Sequence, residues 1–378
     1  MSRMSGSEYR RNEFATIWQP GIGSQSDAVP DSPRGIAKSL RGELASAVSA
    51  YGAFEWVALG YLAISSALIV IFAANLAHPL RLLSVQTLVA LLIVALCRAE
   101  ANVWTPISTS LVVGEERTAP SAGLGASRNG CPTLTQRFWH FWRHWYPHLF
   151  FLFCFEELGA LVHLVSPRWQ DGKLIAFDHW LTGVHPAIWL EQFATPARNE
   201  FMQFAYLTYF VYLLVLGGIL YYREDWRGYW SVMTYSAVAY AIGYVIAVFL
   251  PIESPWFAMA RSWHGELHGG PFTALINFIE HYGRVRGAAF PSQHVAGSFA
   301  ALWGAWRHRR WVFWVMLPLV ICMCASTVWG RYHYVVDIFG GMVTGTLGYV
   351  IGKWIMSRNE RVEVDNKIEC SEGIFLRP

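Results

Sequence analysis

Eight separate apolar runs, each near the length that crosses a bilayer, limit what this 378-residue chain can fold into. They lie at roughly 54–77, 82–98, 147–166, 201–222, 229–250, 289–306, 311–330 and 334–356. A helix needs about 17–25 mostly apolar residues to span the hydrocarbon layer. Within that layer every backbone N–H and C=O must find a partner in the chain, which leaves helices or closed barrels. The runs predict an all-α integral membrane protein with about eight transmembrane helices. Only 15% of residues are charged, against about a quarter in soluble domains. Aromatic residues reach 16%, as suits side chains anchored at the two lipid–water boundaries. The net charge of +3 comes without a basic stripe interleaved with aromatics, so no nucleic-acid partner is expected.

With eight spans, both termini share one side. Counting Arg98 and Lys353 at the inner ends of their spans, that side carries 21 of the 29 lysines and arginines, most sharply in WRHRRW at 306–311. The positive-inside bias predicts a multi-pass protein of the cell membrane with both termini cytoplasmic. Residues 1–52 are polar, show no signal-peptide pattern and read as a disordered cytoplasmic tail. Two leading spans follow at 53–98, then a Gly/Ser/Thr/Arg-rich cytoplasmic linker at 99–144. A block of six spans fills 145–356, and 357–378 forms a second cytoplasmic tail. The amphipathic segment 167–200 and the Gly/Pro/His/Arg-containing segment 251–290 fall on the outer side. None of Cys97, Cys131, Cys154, Cys322, Cys324 and Cys370 lies in an outer loop, so no disulfide framework is expected.

Against this background, GAAFPSQHVAGSF at 287–299 opens a span with polar residues. Pro291 suits the first turn of a helix. The N–H groups of Ser292, Gln293 and His294 would then point outward at the positive end of that helix, a seat for an anion. Ser292 adds a hydroxyl, and His294 a group that exchanges a proton near neutral pH. A second polar patch, STVWGRYHYVVDIFGG, covers 326–341. His333 and Asp337 are four apart, which places them on one face of a helix. The carboxylate would fix the imidazole tautomer and leave the other nitrogen free to attack. Arg331 supplies a planar cation beside them. Alternating span directions return both patches to the outer level, and together they read as a phosphoryl-transfer site.

Blander roles compete. His333 can cap the last helix, Asp337 can simply favour its positive end, and Arg331 can anchor the interface. Glu156 and Glu157 sit within an apolar run, and at least one is expected to pair internally. The histidines of WHGELHGG at 263–270 read as solvent-facing. Cys322 and Cys324 face different ways, so no metal is expected there.

PSQH at 291–294 and the S-T-x5-H-x3-D pattern at 326–337 resemble the second and third motifs of the type 2 phosphatidic acid phosphatase superfamily. The fuller pattern FPSQHVA…STVWGRYHYVVDIFGG, with FDHWLTGVHPAIWLEQF at 177–193, is most similar to its inositol phosphorylceramide synthase-like (inositolphosphotransferase) branch. The resemblance covers about 145–356. It implies a six-helix lipid phosphatase core preceded by two extra spans, and chemistry without a metal or other cofactor. It implies His333 as a nucleophile forming a phosphohistidine, Asp337 orienting it and His294 protonating the leaving oxygen. Ser292, Gln293 and nearby arginines, Arg331 and Arg286 with Arg284 as a further candidate, would bind the phosphate.

Two departures stand out. Thr327 follows the serine where the phosphatases place an arginine, and Arg331 would lie one turn further on if the helix continues. FLPIESPWFAMAR at 249–261 replaces the Lys-containing first motif. The sequence therefore points to a membrane enzyme that transfers or hydrolyses a lipid-linked phosphoryl group at the extracytoplasmic face. Its partners would be the membrane and a lipid phosphate or phospholipid. The alternatives are a simple phosphatase of phosphatidate or polyprenyl diphosphate, and a non-catalytic transporter or lipid-binding scaffold. The vanadate-dependent haloperoxidases share the site residues, but the predicted spans count against a soluble enzyme.

Overall fold

The computed structural model describes the backbone of residues 51–109 and 133–375, and side chains of 51–100 and 133–359. Cys131, Cys370, most of the N-terminal tail and the middle of the linker lie outside the described side chains. Every regular element among the described residues is helical, apart from one isolated bridge between Ile252 and Ala288. The longer helices are α1 (Ala53–Ile71), α2 (Pro79–Thr109), α3 (Leu134–Leu161), α4 (Asp171–Thr182) and α5 (Pro186–Glu191). They continue with α6 (Pro196–Leu207), α7 (Tyr209–Tyr222), α8 (Trp226–Phe249), the single turn α9 (Pro255–Ala258) and α10 (Pro271–Gly283). The last three are α11 (Gln293–His308), α12 (Arg310–Trp329) and α13 (Val335–Phe375).

Six stretches among the described residues are long and apolar enough to cross a membrane: 53–71, 79–100, 196–222, 226–249, 310–329 and 335–359. The fold is thus compatible with a multi-pass membrane protein. Helices also occupy the other two apolar runs, but α3 carries charged residues in its first half and α11 has only 16 residues. α3 starts well before its apolar run because Thr133 and Gln136 form a reciprocal cap. The Thr133 hydroxyl accepts from Gln136 N–H at 3.2 Å, and the Gln136 side chain accepts from Thr133 N–H at 2.8 Å. The segments at 167–200 and 251–290 fold as short helices, α4 with α5 and α9 with α10.

Buried polar groups tie the leading helices to the rest. Gln86 on α2 donates to Ser65 on α1 at 2.7 Å and to Glu157 on α3 at 3.0 Å, which is the internal pairing expected of that acid. Arg143 of α3 lies 2.7 Å from Glu55 of α1, and Tyr146 donates to the same carboxylate oxygen. Leaving any of these unmatched in an apolar interior would cost several kcal/mol, about 3–5 for half of a buried ion pair.

The site depends on how closely α13 approaches α11 and α8. A Cβ at Gly341 would lie 2.6 Å from the Ser292 carbonyl oxygen, and one at Gly345 would lie 2.5 Å from that of Ala296. Only residues lacking a side chain permit this backbone contact. It brings the starts of α11 and α13 together, and Ser292 N–H donates to the Asp337 carbonyl at 3.1 Å.

Candidate active site

Three turns converge here. Ser292 is the N-cap of α11, and its hydroxyl accepts from Val295 N–H at 3.4 Å. Pro291 precedes the cap, joined to Phe290 by a cis peptide, and does not occupy the first turn. Its neighbour's amide is not free for an anion, because Ser292 N–H is bonded to Asp337. The hydroxyl of Ser292 is wholly buried.

The second turn ends α12. Arg331 N–H donates to Val328 O at 3.1 Å and Tyr332 N–H to Thr327 O at 2.9 Å, the paired bonds of a Schellman closure. Arg331 holds the left-handed position of that closure at φ 65°, where glycine is the usual occupant. The helix therefore does not continue to Arg331, and its side chain does not share a face with Thr327. Its guanidinium donates from Nη2 to Glu191 Oε1 and to Gly265 O, each at 2.7 Å, and covers the Trp263 ring. Burial lowers the pKa of Arg331, opposed by the Glu191 charge. Burial raises that of Glu191, but hydrogen bonds from His264 and Gly265 and the charge of Arg331 outweigh it and hold it below the usual value.

The third turn begins α13. Tyr334 precedes the helix and Asp337 is its third residue, so the carboxylate reaches back to Tyr334 N–H at 2.8 Å. The same oxygen, Oδ2, lies 3.2 Å from His333 Nδ1. The His333–Asp337 contact is therefore made across a helix cap, since His333 stands outside the helix. From α4, Asp178 caps the next two amides, Val335 at 2.8 Å and Val336 at 3.0 Å. Burial raises the pKa of Asp178, and these two bonds oppose it.

His333 Nε2 then meets His294 Nδ1 at 3.2 Å. The result is a line from Asp337 through His333 to His294. Beyond it, His294 Nε2 lies 2.8 Å from the Tyr206 hydroxyl, which donates to Glu280 Oε1 at 2.9 Å. Glu280 Oε2 accepts from Arg284 Nε at 2.6 Å.

Both histidines open on a cavity of about 380 Å³, within the range of about 300–1,000 Å³ typical of ligand pockets. Gln293 and Arg284 line its polar end, and Phe151, Leu152, Phe155, Leu213 and Leu214 its apolar flank. Leu152 and Leu214 are also exposed, so the apolar flank reaches the outer surface of the helices. An anionic group held by the histidines and Arg284 would thus continue into an apolar slot.

Residues 172–351 match the model of the PAP2 superfamily. The PAP2 match contains the whole line from Tyr206 to Asp337 and leaves out α1 to α3. No curated protein and no solved structure matches the chain.

Of the residues singled out in the sequence, His294, His333, Asp337 and Gln293 are brought together. Gln293 donates to Pro291 O at 3.2 Å. Arg331 is held by Glu191 away from the cavity lining. Arg286 pairs with Glu253, its side chain 58% exposed, and does not line the cavity either. Arg284 is the arginine that does. Tyr206 and Glu280 were not singled out in the sequence. The one local signal is the four-residue spacing of Glu280 and Arg284. At the other end of α3, ligand-type atoms of Glu100, His140 and His144 lie within 4.8 Å of one another. Arg143 Nε, 3.4 Å from Glu100, already sets a fixed cation against that carboxylate.

Proposed function

We propose that the protein transfers a lipid-linked phosphoryl group through a phosphohistidine on His333, with an alcohol competing with water as acceptor. The observation that carries this reading is the Asp337–His333–His294 line at the mouth of a cavity with an apolar flank. Asp337 holds the proton of His333 on Nδ1, which leaves the Nε2 lone pair facing the cavity. A phosphoryl group entering between the rings replaces the contact between His333 Nε2 and His294 Nδ1. Nε2 attacks phosphorus while His294 protonates the departing oxygen. In the second half, His294 takes the proton of the incoming water or alcohol as its oxygen displaces His333. Arg284 and the N–H groups at the start of α11 offset the phosphate charge. The PAP2 match supports phosphoryl chemistry on lipids.

Transfer to an alcohol, in the manner of inositolphosphotransferases, is favoured by the sequence likeness and by the few cations at the cavity. Of Arg284, Arg286 and Arg331, one lines it. A phosphohistidine is discharged by whichever nucleophile reaches it, so transfer needs a cover that limits water; Ile279 and Glu280 of α10 line the cavity and support such a role for that segment. The site end is read as extracytoplasmic, because the Arg-rich turn at 307–310 is at the opposite end of α11. The test is to give purified protein a labelled phospholipid donor with inositol, glycerol and ceramide. A new phosphodiester that depends on His333 is the expected result. Free phosphate alone, unaffected by any acceptor, would assign hydrolysis.

A further inference from the structure

Each histidine of the pair has a carboxylate behind it. Asp337 contacts His333 directly, whereas Glu280 reaches His294 through the Tyr206 hydroxyl. The chain is continuous: His294 Nε2 to Tyr206 Oη at 2.8 Å, then Tyr206 Oη to Glu280 Oε1 at 2.9 Å. Its members come from α11, α6 and α10, so no local spacing produces it. Tyr206 is buried and locked, its ring stacked on Tyr332 at 4.4 Å between centroids. Tyr332 is fixed in turn by donating to Gln203 Oε1 at 3.1 Å. Arg284 holds the second oxygen of Glu280, which aims the first at Tyr206.

We propose that Tyr206 and Glu280 are positioning residues that hold His294 in the form protonated on Nε2, making Nδ1 the nitrogen that gives and takes the proton. This rests on the reading of His333 as nucleophile. A carboxylate accepts and does not donate. With Glu280 ionised, the Tyr206 proton points to Glu280, and the Tyr206 oxygen accepts from His294 Nε2–H. The imidazolium then carries its second proton on Nδ1, facing His333. As His333 Nε2 bonds to phosphorus and the ester bond breaks, that proton passes to the leaving oxygen. His294 is left neutral with a lone pair on Nδ1. As the acceptor oxygen attacks and the His333–phosphorus bond breaks, Nδ1 recovers a proton from the acceptor. Tyr206 keeps its proton and Glu280 its charge throughout.

The other groups near His294 do not substitute for this arrangement. His333, backed by Asp337, occupies Nδ1. Tyr209 of α7 packs on the ring at 4.6 Å, but its hydroxyl is paired with Tyr240 of α8 at 3.2 Å. Arg284 is paired with Glu280 and makes no hydrogen bond to His294 among those the structure shows. Removing the carboxylate therefore lowers the proton affinity of His294 and frees its tautomer.

The test compares two lipid phosphodiesters on the purified full-length protein, one with an alkyl alcohol and one with a nitrophenol as leaving group. In Tyr206→Phe and Glu280→Gln, kcat for the alkyl ester should fall by about 10–100-fold. The nitrophenyl ester, which needs little protonation, should fall by less than about threefold. The pH limb belonging to His294 should move to lower pH. In a His294→Ala background, Glu280→Gln should add no further loss. Equal loss on both esters, an unmoved limb, or the same loss with and without His294 would overturn the proposal and leave the His333 reading intact. Wild-type turnover that persists in His333→Ala would overturn both.

Discussion

At the scale of single residues, polar side chains do two different things near the site. Buried Arg331 and half-buried Glu191 form a pair that fixes the 263–265 loop onto the turn before His333. Arg331→Leu alone should lower stability by about 1–3 kcal/mol, because Gly265 O loses its donor and Glu191 its cation, although Glu191 keeps the bonds from His264 and Gly265. A double-mutant cycle with Glu191→Leu should recover a coupling on the order of 0.5–3 kcal/mol; no coupling would detach the pair from the fold. Arg331→Gly relieves the left-handed backbone but should behave almost as badly, since the ion pair is lost.

Asp171 gives a pH test. Burial, with the neighbouring Glu253 charge, pushes its pKa up to about 6, although Tyr334 donates to it at 3.2 Å. A raised carboxyl pKa favours the folded state fully below the unfolded value, and that contribution disappears as pH rises through 6. Asp171→Asn should therefore flatten the fall in thermal stability between pH 4 and pH 7. An unchanged slope in the variant would remove Asp171 as its source. The contact of His333 with Asp337 was legible from spacing, yet the backbone reason is a cap, which a period argument does not distinguish from a helix. Tyr206 and Glu280 were not legible. They are isolated polar residues 74 positions apart, and only tertiary packing makes them neighbours.

At the scale of elements, apolar length located the helices because backbone satisfaction in lipid admits little else. It did not reveal that α12 stops at Trp329. Its Schellman closure places Gly330 at the cap and arginine, not glycine, at the left-handed position that follows. Nor did it show that Asp178 of α4 caps α13. Asp178→Ala should cost about 0.5–2 kcal/mol, the usual effect of losing a cap, and should loosen His333 as well. Retained stability and full turnover would show that the cap does not position the site. The glycines at the α11–α13 contact carry more weight. Gly345→Val has to push against the Ala296 carbonyl, with an overpacking cost of about 1–3 kcal/mol. It should part the two histidines and reduce turnover at least tenfold. Gly218→Ala on α7, where a Cβ meets nothing within 4 Å, should leave turnover unchanged. Equal behaviour of the two variants would contradict the close-approach argument.

At the scale of the whole molecule, the helices bring a polar line and an apolar slot to the same end of α11 and α12. The Arg-rich turn lies at the other end. Cysteines introduced singly at Glu266 and at Arg307, both exposed, should react with impermeant reagents from opposite sides of sealed vesicles; labelling from one side would break the proposed sidedness. The proposed phosphohistidine on His333 can be trapped by acid- and base-quenching the purified protein during turnover of a phosphate-labelled lipid. The expected result is acid-labile, base-stable label on the peptide containing His333, absent from His333→Ala together with turnover. Undiminished turnover in His333→Ala, or label on another residue, would contradict it.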